Sequence, residues 1–290
     1  MKYEAIRTQS SNHSVRKMCL VLGLKESAYY QWLFRLHKKI VRRQACQELT
    51  KKVKEVFDAS QKTYGYRKMQ RALVKEGCYL GEYKVRKIMR ENGFFPVVTY
   101  KYRPARGGKQ DGRFFEDKLK QQFTTEYPNT VWAGDITYIK TKIGFVYCAA
   151  VIDLYNREVV GYNISKNLDA ELVKTALSNA VGRRSVPTGQ LIFHSDRGTQ
   201  YSSKTYQSML IKYGITGSMS RPSCPYDNAC VESFFGSAKK ECIYRKEYDN
   251  IEEVKHDVFK YIELFYNRKR LHASLGYLSP VEYRLSKMAS

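Results

Sequence analysis

From residue 131 onward the apolar residues change period in a fixed order, and that order leaves few folds open. Residues 131–140 and 145–152 are rich in β-branched and aromatic side chains and flank Lys142-Ile143-Gly144, which suits a hairpin. Residues 158–165 read as a third strand. Asp169 then opens a helix with Leu172, Val173, Ala176, Leu177 and Val181 on one face. Residues 191–194 form a short apolar run of the buried-strand type, Ser202 caps a helix ended by Gly214, and residues 215–219 make a short fifth strand. Three strands that pair antiparallel, followed by strands alternating with helices, predict an α/β fold with one mixed five-stranded sheet and flanking helices.

Three acidic residues sit at unusual places in that frame. Asp135 falls inside the first strand, where aspartate is depleted. Asp196 ends the fourth strand, at the carboxyl edge where open α/β sheets hold ligands. Glu232 follows a loop containing Pro222 and Pro225, on a helix capped by Asp227 with Val231, Phe234, Phe235 and Ala238 on its apolar stripe. Each alone has an ordinary reading, as a solvated helix residue or a strand-end cap, beside the reading as a metal ligand. Together they are harder to assign to structure, because two of the three have no evident basic neighbour.

The words around the trio are more specific than the trio itself. Trp132-Ala133-Gly134-Asp135-Ile136-Thr137-Tyr138, His194-Ser195-Asp196-Arg197-Gly198-Thr199-Gln200-Tyr201, Tyr226-Asp227-Asn228-Ala229 and the late stretch from Tyr266 to Tyr277 resemble the second-frame (OrfB-type) transposase of the insertion-sequence-three family. That family carries the DDE motif shared with retroviral integrases, and the 35 residues between Asp196 and Glu232 match its spacing. The resemblance implies a ribonuclease H-like core that brings Asp135, Asp196 and Glu232 within bonding reach of one pair of cations. Oxygen-only ligands select a hard ion, so two Mg²⁺ (or Mn²⁺) ions are the expected cofactors. The implied activity is metal-dependent DNA strand cleavage and strand transfer at the ends of an insertion sequence. It also implies that Lys239, two helical turns after Glu232, holds the phosphate or terminal base being cut. His194, two residues before Asp196, is a possible accessory base. Asp153 is read as a turn former with a minor metal-ligand alternative.

Charge agrees with a nucleic-acid partner. The chain has 51 Lys and Arg against 28 Asp and Glu, a net charge of +23, and residues 1–110 carry most of that excess. The basic residues are spread over several helices and mixed with tyrosine, which suits DNA better than a membrane surface. Seven cysteines with no C-x-x-C pair exclude a zinc finger and read as reduced thiols. The N-terminal residues lack a signal-peptide core, so the expected location is the bacterial cytoplasm, associated with the nucleoid.

Five segments follow. Residues 1–60 form a helical, helix-turn-helix-like region, with Ser14 capping one helix, Ser27 capping a second and a basic helix continuing over 38–60. Residues 61–95 form a second such segment, closed by Gly77 and Gly93, with Arg67, Lys68, Arg71, Lys84, Arg86, Lys87 and Arg90 pointing outward to DNA phosphates. Residues 96–124 are a basic linker, 125–245 the catalytic core, and 246–290 a helical extension opened by an Asp249/Glu252 capping box. The expected partners are double-stranded DNA (element ends and target), a second copy of the chain, and a first-frame protein joined by frameshift fusion; no membrane is involved. The competing reading is a non-catalytic DNA-binding regulator that retains the same fold.

Overall fold

The computed structural model describes residues 1–97, 114–119, 125–184, 186, 189–221 and 229–288. Most of the expected linker, the Asp227 cap and Cys224 lie outside the described residues. The chain divides into two compact units, Met1–Ala59 with Met69–Phe95 and Ser60–Lys68 with Pro96–Ser290.

The first unit is helical. Helices α1 (Lys2–Gln9), α2 (Val15–Val21) and the start of α3 (Glu26–Ala59) enclose a small core of Ile6, Cys19 and Tyr29, with Tyr3, Met18 and Trp32 against it. The two helices expected on either side of residue 37 are one 34-residue helix. No Gly or Pro interrupts it, and it begins at Glu26, so Ser27 is not its cap. Ser14 does stand at the N-cap of α2, without a capping bond from its side chain. Helices α4 (Tyr66–Lys75) and α5 (Glu82–Glu91) bury Met69 and Leu73, and Val85, Ile88 and Met89. Gly77 and Gly93 adopt φ of +73° and +69°. Their turns close with Cys78 N–H on Leu73 O (2.8 Å) and Phe94 N–H on Met89 O (2.8 Å), a helix stop that favours glycine because no Cβ obstructs it.

The second unit is built on β1 (Val131–Thr141), β2 (Gly144–Asp153), β3 (Val159–Ser165), β4 (Ile192–Ser195) and β5 (Thr216–Met219), in the order β3-β2-β1-β4-β5. The β1–β2 and β2–β3 pairs are antiparallel, and β1–β4 and β4–β5 are parallel. This is the mixed five-stranded sheet expected from the sequence, with β1 at its centre. Helix α6 (Ala170–Arg183), capped by Asp169 through Leu172 N–H at 3.0 Å, packs on β2 and β3. A Cβ on Gly161 would stand 2.4 Å from Ala176 O, so only glycine lets α6 lie this close to β3. Trp132, Leu177, Ala180, Leu191 and Phe193 are fully buried in the core between them.

Two short helices follow β4, α7 (Thr199–Ser202) and α8 (Lys204–Lys212). The cap of α8 is Ser203 rather than Ser202, because the chain takes extended geometry at Ser203 and its hydroxyl accepts from Tyr206 N–H. Helix α9 (Ala229–Glu241) carries Glu232 and packs on β1 and β2. In the tail, α10 (Ile251–Phe259) is capped by Asn250, not Asp249. Asn250 is the extended residue, and its amide oxygen accepts from Glu252 and Glu253 N–H at 3.0 and 3.1 Å. Helix α10 continues as a π-helical segment, Lys260–Tyr266, and α11 (Pro280–Met288) is opened by a reciprocal Ser279–Glu282 cap. The tail is sealed to the core by polar locks. The Asn267 amide meets both Val159 N–H (2.9 Å) and Val159 C=O (3.0 Å) on the edge strand β3. Buried Arg270 donates twice to Glu241 at 2.7 Å, tying the tail to the end of α9.

Candidate active site

Asp135 is the fifth residue of β1 and stands opposite Ala150 on β2. The glycine before it is required by the packing behind the strand: a Cβ on Gly134 would meet the Phe193 ring at 2.5 Å and the Tyr201 hydroxyl at 3.2 Å. Asp196 follows β4 directly, and its Oδ1 accepts from Gly198 N–H at 2.9 Å. Parallel pairing of β1 with β4 aligns Gly134 with Ser195, so the two aspartates emerge side by side. Both line one cavity of about 170 Å³, together with Tyr138, Tyr147, Gln200 and Tyr201. Arg197 gives Asp196 no counter-charge: its guanidinium donates to Ser220 O at 2.8 Å and lies 4.7 Å over the Phe114 ring.

The electrostatics record how the site is assembled. Burial first, and then the charges of Asp196 and Glu232, push the Asp135 carboxyl up to about 8, against the pull of Ile136 N–H and Lys239. Burial also raises Asp196 and Glu232 above the usual carboxylate range. Lys239 is lowered by burial and partly restored by Asp135, and its ammonium sits 5.0 Å over the Tyr138 ring. Asp135 and Asp196 thus share one cavity, and Glu232 and Lys239 of α9 are near enough to bias the Asp135 carboxyl.

Glu232 is the outermost of the four. Helix α9 buries Val231, Phe234, Phe235 and Ala238 against the sheet, which leaves Glu232 exposed beside that stripe. The structure thus joins Asp135 and Asp196 in one cavity and leaves Glu232 outside its lining. Among the described residues, no three His, Cys, Asp or Glu side chains stand close enough together to hold a metal ion. The donor set still suits a hard cation, being all carboxylate oxygen, and the burial and repulsion that raise Asp135 are what a bound divalent ion would offset.

His194 departs from expectation. It is fully buried, with Nδ1 at 2.9 Å from Ser218 Oγ and Nε2 at 3.2 Å from Ser220 Oγ, and it does not line the carboxylate cavity. The strand turns its ring toward Ser218 of β5 and Ser220 just past it rather than toward the site. Asp153 is a turn residue, accepting from Asn129 and Tyr155 N–H at 2.9 and 3.0 Å. Of the basic residues on α4 and α5, Arg67, Arg71, Lys84, Arg86, Lys87 and Arg90 are exposed. Lys68 is not outward as expected. It is half-buried 5.5 Å over the Tyr64 ring, and burial and the charge of Arg270 lower it to about 8.

Sequence reasoning passed over three residues that shape the site. Tyr138 carries Lys239, Tyr201 closes the cavity floor behind Gly134, and Arg157 donates to the Cys230 thiol two residues before Glu232. Tyr138 and Tyr201 stand inside the words already singled out. Arg157 is 73 positions from its partner and gives no local signal.

A mixed sheet of this order, with an aspartate inside its central strand, a second past the adjacent parallel strand and a glutamate on the helix after β5, defines the ribonuclease H-like integrase core. Models of the integrase core domain match residues 125–225 and 232–288, and a model of an HTH-like domain matches residues 44–102. The chain is 37% identical over 289 residues to the transposase InsF for insertion sequence IS3A of Escherichia coli K12, covering all of both chains. It is 34% identical over 267 residues to a 31 kDa protein of insertion element IS600 from Shigella sonnei, covering 92% of this chain and 97% of that one. Solved structures with a similar chain include the simian T-cell lymphotropic virus intasome in complex with PP2A regulatory subunit B56 gamma (TM-score 0.47, 16% identity, 74% of this chain and 69% of that one). The HTLV-2 integrase catalytic core in complex with magnesium is another (TM-score 0.42, 17% identity, 55% and 97%). The chain belongs to the transposase family of the IS3 insertion sequences, polynucleotidyl transferases whose integrase core is metal-dependent. Among the described residues, no helix is long and apolar enough to cross a membrane.

Proposed function

We propose that Asp135, Asp196 and Glu232 are the catalytic carboxylates of DNA strand cleavage and transfer at insertion-sequence ends, and that they hold two Mg²⁺ or Mn²⁺ ions. The observation that carries this reading is geometric: parallel pairing of β1 with β4 sets Asp135 and Asp196 side by side in one cavity, where burial and neighbouring carboxylates raise Asp135. Bound cations would offset the scissile phosphate's charge and polarise it for in-line attack. Water oxygen bonds to phosphorus as the 3′ oxygen leaves with a proton, giving a 3′-hydroxyl and a 5′-phosphate; that hydroxyl then gives up its proton and bonds to the phosphorus of a second phosphodiester, whose own 3′ oxygen leaves. Lys239, braced on Tyr138, places its ammonium beside Asp135 and is suited to hold the phosphate or terminal base. Gly134 permits the Phe193 and Tyr201 packing that supports Asp135, and Arg157 anchors the start of α9.

The exposed cations Arg67, Arg71, Lys84, Arg86, Lys87 and Arg90 supply DNA phosphate contacts in this reading, with residues 61–95 as a DNA-binding segment ahead of the catalytic core. Lys68 and His194 take packing roles instead. Joining two DNA ends calls for at least a dimer, and a first-frame partner would add further DNA-binding helices. The work is done on DNA in the bacterial cytoplasm and nucleoid. The test is a labelled element-end duplex incubated with and without Mg²⁺. Cutting by wild type, abolished in Asp135→Asn and in Glu232→Gln while binding persists, is the expected result. Cutting that survives either substitution would reject the assignment.

A further inference from the structure

Asp196 leaves β4 where the strand stops, so the direction of its carboxylate depends on what fixes the chain on either side of it. One residue does both. Ser220, just past β5, donates its N–H to Ser195 O at 2.9 Å and its hydroxyl to the same oxygen at 3.3 Å, on the near side of Asp196. On the far side its carbonyl accepts from Arg197 Nε at 2.8 Å. Asp196 is thus bracketed by Ser195 and Arg197, both tied to Ser220. Its own Oδ1 adds a further tie, to Gly198 N–H at 2.9 Å.

Ser220 is in turn fixed by an imidazole. The His194 ring stands between Ser218 Oγ, 2.9 Å from Nδ1, and Ser220 Oγ, 3.2 Å from Nε2. The direction of each bond follows from the rest of the network, because a serine hydroxyl has one proton to give. Ser220 gives its proton to Ser195 O, so it accepts from the ring, and the ring proton sits on Nε2. Nδ1 is then an acceptor and takes the Ser218 proton, while Ser218 Oγ accepts from Lys118 N–H at 3.0 Å. The chain Lys118–Ser218–His194–Ser220–Ser195 therefore runs one way, ending on the carbonyl just before Asp196. Ser218, His194, Ser220 and Ser195 are all buried, so a lost partner leaves a polar group unsatisfied rather than wet.

We infer that His194 and Ser220 are positioning residues for Asp196. Neither lines the carboxylate cavity. They act through the backbone on both sides of Asp196, with the His194 ring as the Nε2–H donor that orients Ser220. The inference rests on the assignment of Asp196 to the cation-binding trio. A ring that only fills space between β4 and β5 would make a different prediction, since any variant that kept the packing would then keep the site.

Substitution separates the two ring nitrogens. The amide of Asn reaches as far as Nδ1, and that of Gln as far as Nε2. His194→Asn therefore keeps a partner for Ser218 and loses the donor to Ser220, whereas His194→Gln restores that donor. Ser220→Ala removes the clamp itself with little change of volume, and serves where Asn at position 194 fails to fold. The probe is Mn²⁺ on the full chain, its free fraction read by electron paramagnetic resonance beside thermal melting. Loss of a group that orients a metal ligand weakens metal binding by roughly 10–100-fold. His194→Asn and Ser220→Ala should show that loss, and His194→Gln should recover most of it. Ser279→Ala, which removes a buried cap of α11, should lower the melting temperature and leave Mn²⁺ affinity as in wild type. Cutting of an element-end duplex should fall by about 10²-fold in the first two variants, as expected of a misplaced carboxylate, with duplex affinity in EDTA unchanged. Nitrogen-15 NMR of the His194 ring, assigned by its loss in His194→Asn, should place the proton on Nε2. A proton on Nδ1, or Mn²⁺ affinities that simply follow melting temperature in every variant, would overturn the inference. Asp196→Asn separates this from the reading beneath it. If that variant binds Mn²⁺ like wild type, the carboxylate assignment fails. If it binds more weakly while Ser220→Ala and His194→Asn do not, only the positioning role fails.

Discussion

Replacing Asp135 by Asn isolates the charge that the site is least able to accommodate. The carboxyl stands at about 8 in the folded chain against an ordinary value of 3.8, because burial and the neighbouring Asp196 and Glu232 disfavour its anion. Between those two values the folded state keeps a proton that the unfolded chain has released. Stability of the metal-free protein must therefore fall as pH rises from about 4 to about 8, and stay low above that. At about 1.36 kcal/mol per unit, the full shift of roughly four units corresponds to at most about 5–6 kcal/mol. Asn has nearly the same shape and cannot ionise, so Asp135→Asn removes this loss. Urea denaturation in EDTA from pH 5 to pH 9 reads it directly. Wild type should weaken by a few kcal/mol over that range, while the variant loses much less and is the more stable of the two at pH 8.5. Adding Mg²⁺ at that pH should stabilise wild type and do little for the variant. A variant that is less stable than wild type at pH 8.5 without metal would refute the claim that carboxylate crowding is stored at Asp135.

Other outcomes follow from packing and charge. Gly161→Ala would drive a Cβ to 2.4 Å from Ala176 O and 2.6 Å from Ala180 N, both backbone atoms, so a loss of about 3 kcal/mol is expected by urea midpoint. Glu241→Ala leaves the buried Arg270 guanidinium without its carboxylate and should cost about 3–5 kcal/mol, seen as early unfolding of the tail by hydrogen exchange. Lys84→Gln/Arg90→Gln alters two exposed cations, so stability should hold within about 0.5 kcal/mol while the salt slope of DNA binding becomes shallower by about 1.8.

The sequence by itself determined the five strands and their succession along the chain, because period-two and helical spacing are local properties written every few residues. It also determined the helix stops at Gly77 and Gly93, where a left-handed φ favours a residue without Cβ, and it marked Asp135, Asp196 and Glu232 as misplaced for structure alone. Capping residues were legible only to within a position: Ser203 for Ser202 and Asn250 for Asp249. Neighbouring polar residues offer the same chemistry, and backbone geometry chooses between them. Only the tertiary structure decided which charges are exposed and which are packed against partners. Lys68, Arg270 and His194 look in sequence like any surface cation or site histidine. Each is buried or half-buried against a partner that is 4 to 29 positions away, on Tyr64, Glu241, and Ser218 with Ser220. Burial and long-range partners are properties of packing, which no local pattern encodes.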